Sequence, residues 1–140
     1  MARNIGAVLV GFVVVFAVVV ALQFVSVSLY PPPEGVNLLD PTQADAFATY
    51  LAALPLGAWL LVFGSEIVGA FLGALAAGKI ASRHQARFAG AIVGLAVIGS
   101  IVNWVSFSHP LWFIIGQLIA YPLAFFGVVQ LLGSPGQQDS

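Results

Sequence analysis

Few side chains in this chain could do chemistry, and Glu66 stands apart from the rest. It is the only ionisable residue within residues 56–78, a stretch that is otherwise almost wholly apolar. A charged carboxyl in such surroundings costs about 3 kcal/mol or more, so it must face polar partners or water. Candidate partners sit in the other apolar stretches: Gln23, then Ser100 and Asn103, then Gln117 and Tyr121. Such a set could form a polar cavity with Glu66 as a proton or cation site. The blander reading is a closed hydrogen-bond network that holds helices together. Soluble-type catalysis finds no support. There is no paired carboxylate and no histidine-rich metal spacing, and the absence of cysteine removes thiol nucleophiles, thiolate metal sites and disulfides. Gly69-Ala70-Phe71-Leu72-Gly73 lacks the strand and helix start of a dinucleotide loop. The sequence therefore predicts no enzyme activity and no cofactor.

The elements that must position Glu66 follow from composition. The 140 residues are 61% hydrophobic and 6% charged, with a mean hydropathy of +1.06. Soluble domains carry roughly 25% charged residues, so lipid is the expected solvent for most of this surface. A net charge of −1 offers no basic footprint for nucleic acid. Four apolar stretches, residues 5–29, 56–78, 88–107 and 111–132, each approach or exceed the ~20 residues that cross a bilayer core. The first is rich in valine. In lipid, however, an isolated run must satisfy its own backbone and becomes a helix whatever its β propensity. It exceeds a ~30 Å core and should tilt. Arg3 and Val19-Val20-Ala21 outline a signal peptide, but the apolar run is too long and continues past that site, so the stretch is read as retained. The expected fold is one all-α domain over residues 1–140, a four-transmembrane-helix bundle with a polar tail from 133.

All four basic residues agree on an orientation. Arg3 precedes the first span, and Lys79, Arg83 and Arg87 lie between the second and third. Residues 30–54 and 108–110 contain no Lys or Arg. Basic residues stay on the cytoplasmic side, which puts both termini inside and Glu34, Asp40 and Asp45 outside. Trp59, Trp104 and Trp112 then share the outer end as interface anchors, beside Tyr30 and Tyr50. A multi-pass protein of the cell membrane, the inner membrane of a bacterium, is expected.

In the first outer loop, Pro31-Pro32-Pro33 stops the first helix. Asp40-Pro41-Thr42-Gln43 reads as a helix start, with Asp40 as cap, Pro41 in the first position and Gln43 closing a capping box. Phe47, Tyr50, Leu51 and Leu54 follow on one face. The pattern predicts a short amphipathic helix over 41–54, packed on the bundle or serving as a lid. Ser82 and Gln85 suggest a second capping box. Lys79, Arg83 and Arg87 are spaced by four, so they share a face if that stretch is helical, and they are expected to meet lipid phosphates, with His84 solvated beside them. Ser108 or His109 could cap the fourth span at Pro110. Pro55-Leu56 with Trp59, and Pro110-Leu111 with Trp112, hint at two similar hairpins.

Small residues recur at helix-packing spacing: Gly69, Gly73 and Ala77; Gly90 and Gly94; Ala17 and Ala21; Gly116, Ala120 and Ala124. They could pack the bundle internally or join it to a second copy or a larger membrane complex. Tyr30-Pro31-Pro32-Pro33, Pro55-Leu56-Gly57-Ala58 and His109-Pro110-Leu111-Trp112-Phe113 together resemble short bacterial four-helix integral membrane proteins, a group that brings no activity with it. Size and helix count are similar to small multidrug-resistance transporters. Those carry their glutamate in the first helix, whereas the first span here has none. The expected function is a non-enzymatic accessory or structural subunit, or a self-associating bundle. The alternative is a small proton-coupled transporter or channel-like protein using Glu66.

Overall fold

In the computed structural model, which describes residues 2–133, each long apolar stretch is an α-helix. The helices are α1 (Ala2–Leu29), α2 (Ala44–Ala53), α3 (Leu56–Ile80), α4 (Gln85–Ser106) and α5 (Leu111–Leu132). A single 3-10 turn, Pro41–Gln43, leads into α2. The valine-rich α1 is helical throughout, and no strand occurs among the described residues. The four long helices form a bundle, and each is long and apolar enough to cross a membrane. Three run beyond their apolar cores, because Arg3, Asn4, Lys79 and Arg87 continue the helix past the apolar run. Of the expected polar tail, residues 134–140 lie outside the described residues.

Helix α3 is the centre, packing against α1, α4 and α5. Glycine sets its approach to α1. A Cβ on Gly73 would stand 2.6 Å from the Gly11 carbonyl oxygen and would collide with the Val15 side chain. A Cβ on Gly69 would stand 3.1 Å from the Val15 carbonyl. Two backbones meet this closely only where side chains are absent. Ala70, Ala74 and Ala77 of α3 continue the buried core onto Ala89 and Ile92 of α4 and Val128 of α5.

The expected small-residue pair of α1 does not pack the bundle internally. Ala17 and Ala21 are exposed, and α1 meets α3 through Gly11, Val15 and Val19. A Cβ on Gly94 would meet nothing within 4 Å, whereas Gly90 lies under Phe125 and Gly116 under Phe63. The outward faces carry large apolar side chains, among them Phe16, Phe24, Ile98, Val105, Leu123 and Phe126. Water would penalise so large an exposed apolar surface.

One end of the bundle collects the basic residues. Arg3 Nε donates to the Ile80 carbonyl at 2.6 Å, and Ser82 Oγ donates to Asn4 Oδ1 at 3.1 Å. These bonds tie the start of α1 to the α3–α4 turn, and they correct two expectations. Ser82 is engaged by Asn4, so it does not form a capping box. Instead α4 starts after His84, which takes a left-handed φ of 54° and makes no side-chain cap bond. The same turn breaks the helix between Lys79 and Arg87, so Lys79, Arg83 and Arg87 share no single helical face.

The other end carries α2 and the long connection before it. Asp40 accepts from the Thr42 N–H at 2.9 Å and caps the turn. Gln43 does not close the expected box on Asp40. Its Oε1 accepts from the Asn37 N–H at 2.8 Å, because the Asp40 N–H already bonds the Asn37 carbonyl. Phe47, Tyr50, Leu51 and Leu54 turn toward the bundle. Phe47 meets Phe107 edge to face at 4.9 Å, and the Tyr50 hydroxyl donates to the Tyr30 carbonyl at 2.6 Å. Pro55 and Pro110 stand at the caps of α3 and α5 in the same extended conformation, without side-chain caps. Neither Ser108 nor His109 caps α5; His109 Nδ1 instead hydrogen-bonds with the Phe107 carbonyl at 2.7 Å.

Candidate functional site

Glu66 projects from the middle of α3 toward α4 and α5, and its two carboxylate oxygens have different surroundings. Oε2 accepts from Gln117 Nε2 at 2.6 Å and from Ser100 Oγ at 2.9 Å. The Tyr121 hydroxyl lies 2.6 Å from Ser100 Oγ and 3.4 Å from Oε2. A hydroxyl has one proton. Ser100 gives its proton to Glu66, so Tyr121 donates mainly to Ser100, and the longer contact to Oε2 is secondary. Gln117 is braced from its other end, because Trp104 Nε1 donates to Gln117 Oε1 at 2.8 Å. Gln117 is 0% exposed and Tyr121 2% exposed. Every donor to Oε2 is therefore itself held.

Oε1 accepts no hydrogen bond within this network. It is not sealed either, since no buried side-chain polar atom among the described residues lacks a partner. Glu66, half-buried, lines a cavity of about 410 Å³ between α1 and α4. Phe12, Val15, Phe16 and Val19 form one wall, Ile92, Leu95, Ala96 and Gly99 the other, and Tyr121 shares the floor. Ser100, Asn103 and Ser106 supply polar groups toward the α2 end. A second cavity of about 300 Å³ lies beneath α2, lined by Gln23, Phe47, Tyr50, Trp59 and His109. Asn103 and Phe107 border both cavities. Burial there pushes the Tyr50 phenol above its ordinary range.

The polar residues singled out from sequence thus separate into two groups. Gln117 and Tyr121 join Ser100 at Glu66. Asn103 lines the same cavity, but its amide lies 3.4 Å from His109 Nε2 and does not touch the carboxylate. Gln23 belongs to the cavity under α2, away from Glu66, because the α1 face that meets α3 is set by Gly11. The tryptophans also need correction. Trp59 is 7% exposed, with its ring packed on His109 and Phe113, so it is a core residue and cannot anchor at an interface. Trp104 turns its N–H inward to Gln117, and Trp112, 41% exposed, keeps an outward surface.

Trp104 joins the network and His109 partners Asn103, two contacts not expected from the sequence. A signal for the first was present. Ser100 and Trp104 are one helical turn apart, as are Gln117 and Tyr121, and the two pairs are equidistant from the Pro110–Leu111 turn.

Comparison with family models, curated proteins and solved structures finds no match to this chain. The chemistry of the site must therefore be read from its geometry. Among the described residues no group of three His, Cys, Asp or Glu side chains could hold a metal ion. What the site offers is a carboxylate with one braced oxygen and one outside the network, on a residue that lines a largely apolar cavity.

Proposed function

We propose that this chain is a non-enzymatic multi-pass membrane protein that binds a proton or a cation at Glu66 within the bilayer, in the manner of a small transporter or channel. The observation that carries this reading is the division of the carboxylate. A network that only held helices together would use both oxygens or would do as well with an amide. Here Ser100 and Gln117 tie one oxygen, the other stays outside the network, and Glu66 lines a cavity. Intramembrane carboxyls that face cavities mark ion and proton pathways. Both termini and the α3–α4 turn lie on the cytoplasmic side in this reading, because Arg3, Lys79, Arg83 and Arg87 gather at that end. The end bearing α2 then faces outward, and Glu66 is approached from there past Asn103 and Ser106.

The test uses proteoliposomes that enclose a pH-sensitive dye. The protein as it stands should dissipate an imposed pH gradient faster than Glu66→Gln, with both showing the same tryptophan emission. Equal rates would overturn the reading and leave the network as a structural clamp. A second reading is favoured by Ala17 and Ala21, which lie exposed on α1 at close-packing spacing. They would let a second copy or a partner helix dock, as an accessory or self-associating bundle requires. Replacing both with Leu should then lower the mass of the detergent-solubilised particle, and an unchanged mass would count against it.

A further inference from the structure

We propose that the cavity between α1 and α4 binds a single-chain amphiphile with a cationic head, its ammonium group on Glu66 Oε1 and its chain along the apolar walls. This deepens the reading of Glu66 as a proton or cation site and rests on it.

The head group follows from the charges present. Glu66 is the only ionisable carboxyl lining the cavity, and no Lys, Arg or His lines it. An anionic head would face the carboxylate with nothing to offset the repulsion. A cationic donor would satisfy Glu66 Oε1, which accepts no hydrogen bond from the residues that hold Oε2. Asn103, Ser100 and Tyr121 line the same cavity beside Glu66.

The chain follows from the walls. Phe12, Val15, Phe16 and Val19 face Ile92, Leu95 and Ala96 across the space, with no polar atom of a side chain among them. Phe16 is 64% exposed and Leu95 and Val102 are also exposed, so the cavity opens on the outer flank of the bundle and not only at its end. In a bilayer that flank meets acyl chains. A ligand dissolved in the membrane could thus slide in sideways, head first, without crossing water. About 410 Å³ lies within the ~300–1,000 Å³ range of small-molecule sites. It suits one chain and a compact head, not a two-chain lipid.

Gly99 allows the space to be filled without disturbing the fold. It lines the cavity, and a Cβ there would meet nothing within 4 Å. Gly94 on the same helix also has open space but lies outside the cavity, and so provides the control.

The experiment follows modification of Glu66 by dicyclohexylcarbodiimide in membrane vesicles, read as a mass shift of the intact protein. Decylammonium should protect Glu66 at concentrations at least ~10-fold lower than decanoate or decanol, corresponding to a head-group preference of ~1.4 kcal/mol or more. In Gly99→Leu that protection should be lost while modification by the reagent and protection by methylammonium persist. Gly94→Leu should behave as the parent. If Glu66 is not modified at all, the carboxyl is sealed, and the cation-site reading fails along with this proposal. If it is modified but decylammonium protects no better than decanoate, or Gly99→Leu is protected as well as the parent, the proposal alone is overturned. Should Gly99→Leu fail to accumulate, the series from methylammonium to decylammonium on the parent decides. Protection that strengthens with chain length beyond that of the matched alcohols supports the site, and protection independent of length overturns it.

Discussion

Replacing Gln117 with Leu removes the residue on which the network depends most. Its Nε2 donates to Glu66 and its Oε1 accepts from Trp104, at 2.6 and 2.8 Å. Interhelical hydrogen bonds in membranes average ~0.6 kcal/mol, so the two bonds together account for ~1.2 kcal/mol. The Trp104 N–H is also left without an acceptor. Orphaning a buried donor costs ~1–3 kcal/mol, and because Trp104 is half-buried the low end applies. Gln117→Leu should therefore destabilise the bundle by ~2 kcal/mol, roughly thirtyfold in the folding equilibrium. Reversible unfolding in mixed micelles, followed by tryptophan fluorescence, measures this. Combining the change with Trp104→Phe should reveal a coupling of ~0.6 kcal/mol, and no more than ~1.7 kcal/mol. A single variant within ~0.5 kcal/mol of the parent, or strictly additive effects, would refute the claim that Gln117 bridges Glu66 and Trp104.

Two further outcomes are expected. Gly73→Val places a side chain against the Gly11 carbonyl and Val15 and should cost ~1–3 kcal/mol or more in the same micelles, as overpacking does. Gly94→Val, which meets open space, should change stability far less. At Asp40, hydrogen bonds from the Thr42 hydroxyl and N–H hold the carboxyl below its ordinary range. The folded value lies below the unfolded one, so the cap contributes fully above pH ~4 and is lost as pH falls through the lowered value. Amide exchange across residues 41–53, corrected for intrinsic rates, should be flat from pH 8 to about 5 and should rise below about 4. Asp40→Asn should abolish that step; a step that persists would mean another group is responsible.

The number and extent of the long helices were legible because a chain this apolar has no other way to satisfy its backbone in lipid. Part of the Glu66 site was legible too. Glu66 and Ser100 are equidistant from Arg83 in the short α3–α4 turn, and the α4–α5 pairs are equidistant from Pro110–Leu111. Tight turns fix register, and register brings these residues face to face. Gln23 had no such guide, since the long connection after α1 leaves its position relative to α3 free. Its true register depends on Gly11 meeting Gly73, a backbone fit that hydropathy does not encode. Trp59 was misplaced for a related reason. Where both the core and the solvent are apolar, a large aromatic ring carries no sign of which side it takes. The Ser82 cap was lost to Asn4, a partner far away in sequence.

A proton or cation site at Glu66 requires that water or a ligand reach its carboxyl. The chain has two glutamates, Glu34 and Glu66, so Glu34→Gln leaves Glu66 as the only glutamate. With glutamate and alanine labelled with carbon-13 and the protein in lipid bilayers, polarisation transfer from mobile water to the Glu66 carboxyl can be followed by solid-state NMR. Rapid transfer that decylammonium suppresses is the expected result. Transfer no faster than to carbons of the buried alanines around Ala74 would contradict it and make Glu66 a sealed structural clamp.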